Sequence, residues 1–417
     1  MLKDFEGLDE VFDQFLRSAK IFKNRKVLRH DYIPEKLPHR EDQIKYLGRM
    51  VAPVLNSSLC SNIFIYGKTG TGKTAVVKYV LNGLVSRACR LGLPVKVCYV
   101  NCRLSGTEYR VLSSLCSAVN VFIPFTGLAL GEVFDRFKAG MNSQRPLFIA
   151  VLDEIDALIK DRGDILLYDL TRINETLQHG RISLVGISND LRFKELLDPR
   201  VLSTLSEEEM VFSPYNASEL QDILLDRAQL SFNSGVLSNG AVSLCAALAA
   251  AEHGDARRAL DLLRVAGEVA EREGAETVLE EHVREAEKKI EHDRISIALS
   301  NLPTHAKLVL CSVFLLNKAR VSCAMTGDIY ALYQEVCGQF GATPLTQRRV
   351  SGLINELDVI GLLNTRVVSL GRYGRTKKIR LGISRNLIRD VFASDDRFGR
   401  LINYAPKCLA KPSSNRG

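Results

Sequence analysis

Four short, largely apolar runs punctuate the first half of the chain, at residues 63–66, 95–100, 147–152 and 182–187, with helical stretches between them. Apolar runs spaced by helices are the mark of buried parallel strands joined by crossover helices. The pattern predicts an α/β domain, a parallel sheet with helices on both faces. Residues 1–50 precede it; they are basic in places (Lys20, Lys23, Arg25, Lys26, Arg29) and lead into an amphipathic stretch at 40–55. From Ser213-Pro214-Tyr215 to residue 298 no strand is predicted, and residues 218–231, Asn239–Glu252, 255–273 and 280–296 carry helical patterns only. A third pattern opens at Leu302-Pro303. It has three helical stretches, then two short strands, 366–370 and 375–381, on either side of a turn from Gly371 to Gly374. The expected organisation is a base over 1–212, an all-helical segment over 213–298 and a third domain over 299–417.

The first apolar run leads into Gly67-Lys68-Thr69-Gly70-Thr71-Gly72-Lys73-Thr74, which satisfies G-x-x-x-x-G-K-[ST] at every fixed position and is followed by a predicted helix from Ala75. Glycines allow the backbone to wrap a phosphate with its N–H groups inward, and the helix presents its positive end to the anion. Lys73 would reach the β/γ-phosphates of ATP, and the Thr74 hydroxyl would ligate Mg²⁺. The third run ends in Asp153-Glu154. Asp153 would share the Mg²⁺ with Thr74, and Glu154 would orient and polarise the attacking water. An intact glutamate at this position predicts hydrolysis of ATP to ADP, beyond binding alone. The fourth run ends in Ser188-Asn189-Asp190.

Composition changes this picture mainly at the C-terminal end. With 46% hydrophobic and 25% charged residues the chain has the makings of an ordinary core. No apolar run approaches the roughly 18 residues that span a bilayer, and the acidic Asp4 and Glu6 interrupt any secretory core. No membrane partner is expected, and the expected location is the cytoplasm or nucleoid. The ten cysteines contain no Cys-x-x-Cys pair; Cys98 and Cys102, four apart on a predicted buried strand, read as core thiols and not as zinc ligands. The net charge of +8 is uneven: residues 300–417 hold 18 Lys+Arg against 7 Asp+Glu, a net +11, which leaves −3 for the rest. A basic third on a near-neutral body points to a polyanionic partner. Its helical stretch 344–357 places Val350, Leu353, Ile354 and Leu357 on one stripe and leaves Gln347, Arg348, Arg349, Ser351 and Asn355 largely off it, as a helix entering a DNA major groove requires. The hairpin that follows has Arg372 and Tyr373 at its tip and Arg375 and Lys377 on one face, suited to phosphate or minor-groove contact. Helix and hairpin together read as a winged helix that binds double-stranded DNA.

Taken in order, several segments resemble one family. They are Gly70-Thr71-Gly72-Lys73-Thr74, Asp153-Glu154-Ile155-Asp156, Gly186-Ile187-Ser188-Asn189, Asp198-Pro199-Arg200-Val201, Phe212-Ser213-Pro214-Tyr215 and Gly254-Asp255-Ala256-Arg257, with Tyr32 to Arg40 upstream. The chain is similar to the archaeal replication initiators related to the origin recognition complex and the cell-division-control loader, over roughly residues 20–390. The resemblance implies an AAA+ base, a helical lid and a C-terminal winged helix. It implies that Asn189 is sensor 1 beside the γ-phosphate, that Arg257 is sensor 2 reaching from the lid, and that Tyr215 and Arg227 bind ATP, with Tyr215 packing on the nucleotide and Arg227 meeting its charged part. Arg258, about 100° further around its helix, would face away. Arg200 lies where such proteins carry an arginine finger for a neighbour's site; an ordinary tethering role stays open. The family's DNA-touching insertion would fall around residues 107–137, where Val121-Phe122-Ile123-Pro124-Phe125 could serve as a minor-groove wedge or simply pack on the domain. The partners implied are origin DNA, a replicative helicase and related initiator subunits on adjacent sites, with ATP setting the conformation. Two other classes stay open: a clamp-loader-like subunit, for which Ser-Arg-Cys would be expected where Asp198-Pro199-Arg200 stands, and a regulatory P-loop ATPase with a winged helix.

Overall fold

The computed structural model describes residues 21–29, 32, 34–205, 208–319, 321, 323–369 and 375–406, with backbone alone at 204, 205, 369, 375 and 396. The chain falls into two compact units, Met1–Ala286 and Glu287–Gly417.

In the first unit the order of elements is α1 (Glu41–Val51), β1 (Ile63–Gly67), α2 (Lys73–Arg90), β2 (Val95–Asn101), α3 (Cys102–Ser105), α4 (Glu108–Ala118), α5 (Leu130–Gln144), β3 (Leu147–Asp153), α6 (Ile155–Arg162), α7 (Ile165–Thr176), β4 (Arg181–Ser188), α8 (Pro199–Leu205) and β5 (Glu208–Phe212). The five strands form one parallel sheet in the order β2-β3-β4-β1-β5. Successive strand residues feed two cores. Phe64, Val100, Phe148, Ala150 and Leu184 pack on one face; Ile63, Ile65, Ile149, Val151 and Val185 pack on the other. That double burial is why the strands read as unbroken apolar runs. β5 escaped the sequence pattern because it is an edge strand. Only Met210 and Phe212 turn inward, while Glu208 and Glu209 accept hydrogen bonds from Tyr46 and Tyr66. Cys98 lies on β2 as expected, whereas Cys102 opens α3; burial pushes their thiols up to about 11 and about 12.

The helical segment is α9 (Ala217–Ser231), α10 (Asn239–Glu252), α11 (Ala256–Glu273) and α12 (Glu280–Ser300). A capping box of Asn216 and Glu219 starts α9, and the Asp255 carboxylate caps α11. Ile21 to Leu28, far upstream in sequence, packs on this segment. Lys23 and Asn24 N–H groups donate to Ser231 O (2.8 and 3.0 Å), the Phe22 and Phe232 rings meet at 4.8 Å, and Arg25 pairs with Glu271. Gly267 makes room for the two rings; a Cβ there would stand 2.4 Å from Phe22.

The second unit contains α13 (Thr304–Lys318), β6 (Ala324–Met325), α14 (Thr326–Phe340), α15 (Gln347–Val359), β7 (Leu363–Ser369), β8 (Arg375–Leu381), α16 (Arg385–Ala393) and α17 (Asp396–Leu401), with its strands ordered β6-β8-β7. The stripe Val350, Leu353, Ile354 and Leu357 is buried, as the periodicity required. β6 (two residues) and the closing helices α16 and α17 are additions to the sequence expectation; Leu387, Ile388 and Phe392 seat α16 in the core. Among the described residues no single helix is long and apolar enough to cross a membrane.

Candidate functional site

Because the sheet is parallel, β1, β3 and β4 end on the same edge, and the loops that follow them converge there. A cavity of about 560 Å³ opens at this edge, within the usual range for a small-molecule site. Its walls include Gly70, Thr71, Gly72, Lys73, Thr74 and Ala75 from the P-loop, Asp153 and Glu154 after β3, Asn189 after β4, Tyr215 and Arg227 around α9, and Arg257 on α11. Gly67, Lys68 and Thr69 form the near arm of the loop and stand outside this lining; the Gly67 and Lys68 carbonyls accept the Lys73 ammonium at 2.8 and 2.6 Å. Burial lowers the Lys73 pKa to about 8, and the charge of Arg257 adds to the effect, against the pull of Asp153. A buried cation whose hydrogen bonds among the described residues go to carbonyls is suited to an incoming phosphate.

The P-loop glycines meet two distinct demands. Gly72 has φ +89° and a Cβ on it would lie 2.8 Å from the Tyr215 hydroxyl. Gly70 has φ +70°, and a Cβ there would fall 1.7 Å from Asp255 Oδ1. The lid therefore seats directly on the loop, a contact completed by Ala256 N–H donating to Gly70 O at 3.2 Å. Opposite the loop, Asp153 is 5% exposed; its Oδ2 accepts from Thr74 Oγ1 (2.9 Å) and from the Tyr99 hydroxyl, and its Oδ1 from Glu154 N–H (2.9 Å). Burial and the bond to Asp153 push the Tyr99 phenol above its ordinary range. Lys78 lies over the Tyr99 ring at 4.4 Å. Glu154 takes a left-handed backbone, φ +52°, an uncommon conformation for a non-glycine residue that turns the chain from β3 into α6. Arg103 approaches its carboxylate at 3.8 Å from the solvent side.

The residue most buried in this region that sequence reasoning passed over is Arg40, 4% exposed. Its Nε donates to Thr71 O (3.0 Å), one Nη to Ser213 O (2.8 Å) and the other to His39 O (3.3 Å), while the guanidinium lies 3.8 Å over the Tyr215 ring. One side chain thus ties the upstream segment to the P-loop and to the junction between base and lid. The segment it anchors also lines the cavity, through Arg29, Tyr32, Glu35 and Leu37. The available signal is the segment Tyr32 to Arg40 itself, for which the resemblance implies no role. Arg227 lines the cavity, and its guanidinium donates to Val27 O (3.1 Å) and Tyr32 O (3.4 Å) and faces the Tyr32 ring at 4.7 Å. It braces that wall. Arg258 turns away to Glu252, as its helical position required. Arg200 is exposed at the start of α8, outside the cavity, its N–H held by Asp198 Oδ1 at 2.8 Å.

In the second unit Gln347, Arg348 and Arg349 stand exposed on the first turn of α15, with Glu356 3.7 Å from Arg349. Lys377 is bonded to Asn355, so its ammonium is engaged with α15. Arg372, Tyr373 and the side chain of Arg375 lie outside the described residues. Across the register pairs Arg366↔Lys378 and Asn364↔Arg380, the outward face of the hairpin carries Arg366, Lys378 and Arg380, a basic row that sequence reasoning did not single out.

Comparison with known proteins gives three domain matches: an AAA domain over residues 56–194, a Cdc6 AAA+ ATPase-type lid domain over 221–288, and a CDC6 C-terminal winged helix domain over 297–391. The ORC1-type DNA replication protein of Thermococcus onnurineus is 51% identical over 406 residues, 96% of this chain and 98% of the relative. That of Pyrococcus furiosus is 52% identical over 404 residues, 96% of each chain. Among solved structures, the Aeropyrum pernix ORC1 protein in complex with DNA matches with a TM-score of 0.83 at 50% identity, covering 92% of this chain and 99% of the other. Identity at this level across nearly the whole chain, with base, lid and winged helix in the same order, means that the protein belongs to the ORC1-type DNA replication proteins, the ORC1/Cdc6 initiators built on an AAA+ ATPase domain.

Proposed function

We propose that the chain binds double-stranded origin DNA through its winged helix and helps recruit the replicative helicase, with ATP binding and slow hydrolysis as the conformational switch. The observation that carries this reading is the convergence of P-loop, Asp153-Glu154, Asn189 and the lid residue Arg257 on one cavity, with the α11 start resting on Gly70. A lid whose position depends on a residue at the γ-phosphate reports the nucleotide's state to the rest of the chain. In this reading Lys73 holds the β/γ-phosphates, Asn189 and Arg257 meet the γ-phosphate, and Tyr215 packs against the nucleotide. Arg227, braced against Val27 O and Tyr32 O in the cavity wall, meets the nucleotide's charged part. The Thr74 hydroxyl and Asp153 carboxylate, 2.9 Å apart, are the hard oxygen donors that Mg²⁺ prefers, and they fit that ion. Bound there, Mg²⁺ would neutralise charge on the β- and γ-oxygens. Glu154 orients the attacking water and draws on its proton. Arg200, exposed at the start of α8, completes the site of a related initiator subunit bound alongside.

On the DNA side, Gln347, Arg348 and Arg349 enter the major groove, and Arg372, Tyr373, Arg375 and Lys377 serve the wing. Phe122 and Phe125, 83% and 97% exposed between α4 and α5, suit the wedge role expected of the insertion. Such a protein works in the cytoplasm, at the nucleoid. Footprinting on the source genome's DNA, at physiological salt with and without ATP, tests the reading. A protected duplex whose extent changes with ATP supports it; absence of any protected duplex removes origin binding.

A further inference from the structure

We infer that Asp156 and Lys160 on α6 are positioning residues that hold the loop of Asn189 in register with Glu154, so that one helix fixes both ends of the hydrolytic geometry. The inference rests on the reading of Asn189 as a γ-phosphate sensor. β4 ends at Ser188, whose partner across the ladder is Tyr66; Asn189 is the first residue beyond the sheet and has no strand bond to fix it. What fixes it is α6. Asp156 Oδ1 accepts from the Asn189 N–H at 3.1 Å and from the fully buried Ser188 hydroxyl at 3.1 Å. One turn further along the same face, Lys160 Nζ donates to Asp190 Oδ2 at 2.6 Å. The Asp190 N–H returns to Ser188 Oγ at 3.0 Å, and Asp190 Oδ1 accepts from Arg192 N–H at 2.9 Å. Three consecutive residues, the last of β4 and the first two of the loop, are thus gripped from one helix.

That helix is itself rigidly placed. Ile155, Leu158 and Ile159 are buried in the core, and Glu154 is its N-cap in the left-handed conformation. Glu154, which addresses the water, and Asn189, which addresses the phosphate, therefore ride on one body. Hydrolysis needs both within a fraction of an ångström, and a misplacement near 1 Å costs on the order of a hundredfold in rate. Nucleotide binding rests chiefly on the P-loop and tolerates the error, so the predicted signature falls on turnover.

The test is a double-mutant cycle on the full chain, reading single-turnover hydrolysis and the affinity of a fluorescent ATP analogue. Asn189→Ala and Asp156→Ala are each expected to slow turnover about ten- to a hundredfold with affinity changed less than about threefold, and the double variant to be no slower than the slower single one. The exposed pair supplies an arm that does not depend on Asp156→Ala folding. Lys160→Asp should slow turnover about two- to fivefold, and the swap Lys160→Asp with Asp190→Lys should restore it. If the Asp156 and Asn189 effects multiply, or if Asp156→Ala weakens affinity as much as turnover, the positioning role is overturned while the sensor stands. If the swap restores nothing, the Lys160 arm of the clamp is overturned. If Asn189→Ala alone leaves turnover unchanged, the sensor reading itself falls, and this inference with it.

Discussion

At the nucleotide cavity, the lining residues Lys73 and Asp153 and the neighbouring Arg40 are all but removed from solvent, and each has its donors or acceptors matched by loop carbonyls, hydroxyls or N–H groups. On α15 the opposite holds: Gln347, Arg348 and Arg349 are exposed, and among the described residues Glu356 makes a loose approach to Arg349. The difference teaches what each region can do. A buried, pre-matched site loses a great deal when one atom moves, because the remaining partners are left desolvated. An exposed basic surface loses little per residue, and what it loses depends on salt.

The comparison can be broken most decisively at Glu154. Glu154→Gln keeps the shape and removes the charge that we propose polarises the attacking water. Turnover should fall about 10²- to 10⁴-fold while the affinity for an ATP analogue changes less than about threefold, measured by phosphate release and equilibrium binding. Normal hydrolysis by this variant would remove the catalytic assignment. Arg40 comes next. Arg40→Lys keeps a charge but loses the fork that serves Thr71 O and Ser213 O together, so ATP affinity should weaken about tenfold, and the melting point should drop by several degrees. An unchanged affinity in calorimetric titration would reduce Arg40 to an ordinary core contact. Tyr99→Phe is a smaller change, deleting one bond to Asp153 Oδ2. The Mg²⁺ concentration that half-saturates nucleotide binding should rise about three- to tenfold, with metal-free nucleotide binding unaltered. Smallest of all, Arg348→Ala should weaken DNA binding only severalfold and flatten the log–log salt dependence by about 0.9 if one phosphate contact is lost. It should leave ATP turnover without DNA untouched. A loss on the scale of Glu154→Gln would mean that the exposed surface is as tightly matched as the cavity.

How much of this was legible in the sequence follows the same division. The P-loop and the stripe on α15 are local patterns that residues a few positions apart specify, and Asp153-Glu154 draws its meaning from the P-loop upstream of it. Arg40 was illegible because its meaning lies in Thr71 and Ser213, 31 and 173 positions away. β5 was missed because an edge strand, half in water, has too few apolar positions to declare itself. Gly70 occupies a variable position of its motif, and only the seat of Asp255 explains why a side chain would not fit. The carbonyls that hold Arg227 in the cavity wall were likewise out of local reach: Val27 and Tyr32 lie 200 and 195 positions upstream.

One of these distant contacts also bears on how the protein is made. Phe22 closes against Phe232, and Arg25 against Glu271, so the earliest described stretch to leave the ribosome waits for partners 210 and 246 residues later. At about 5–20 residues per second that wait is roughly 10–50 s, long enough for the parallel sheet to close around its own two cores first. The nascent chain therefore has a P-loop well before it has a complete cavity. Its upstream segment, with Ile21, Phe22 and Leu28 exposed in the interval, is the stretch a chaperone would be expected to hold.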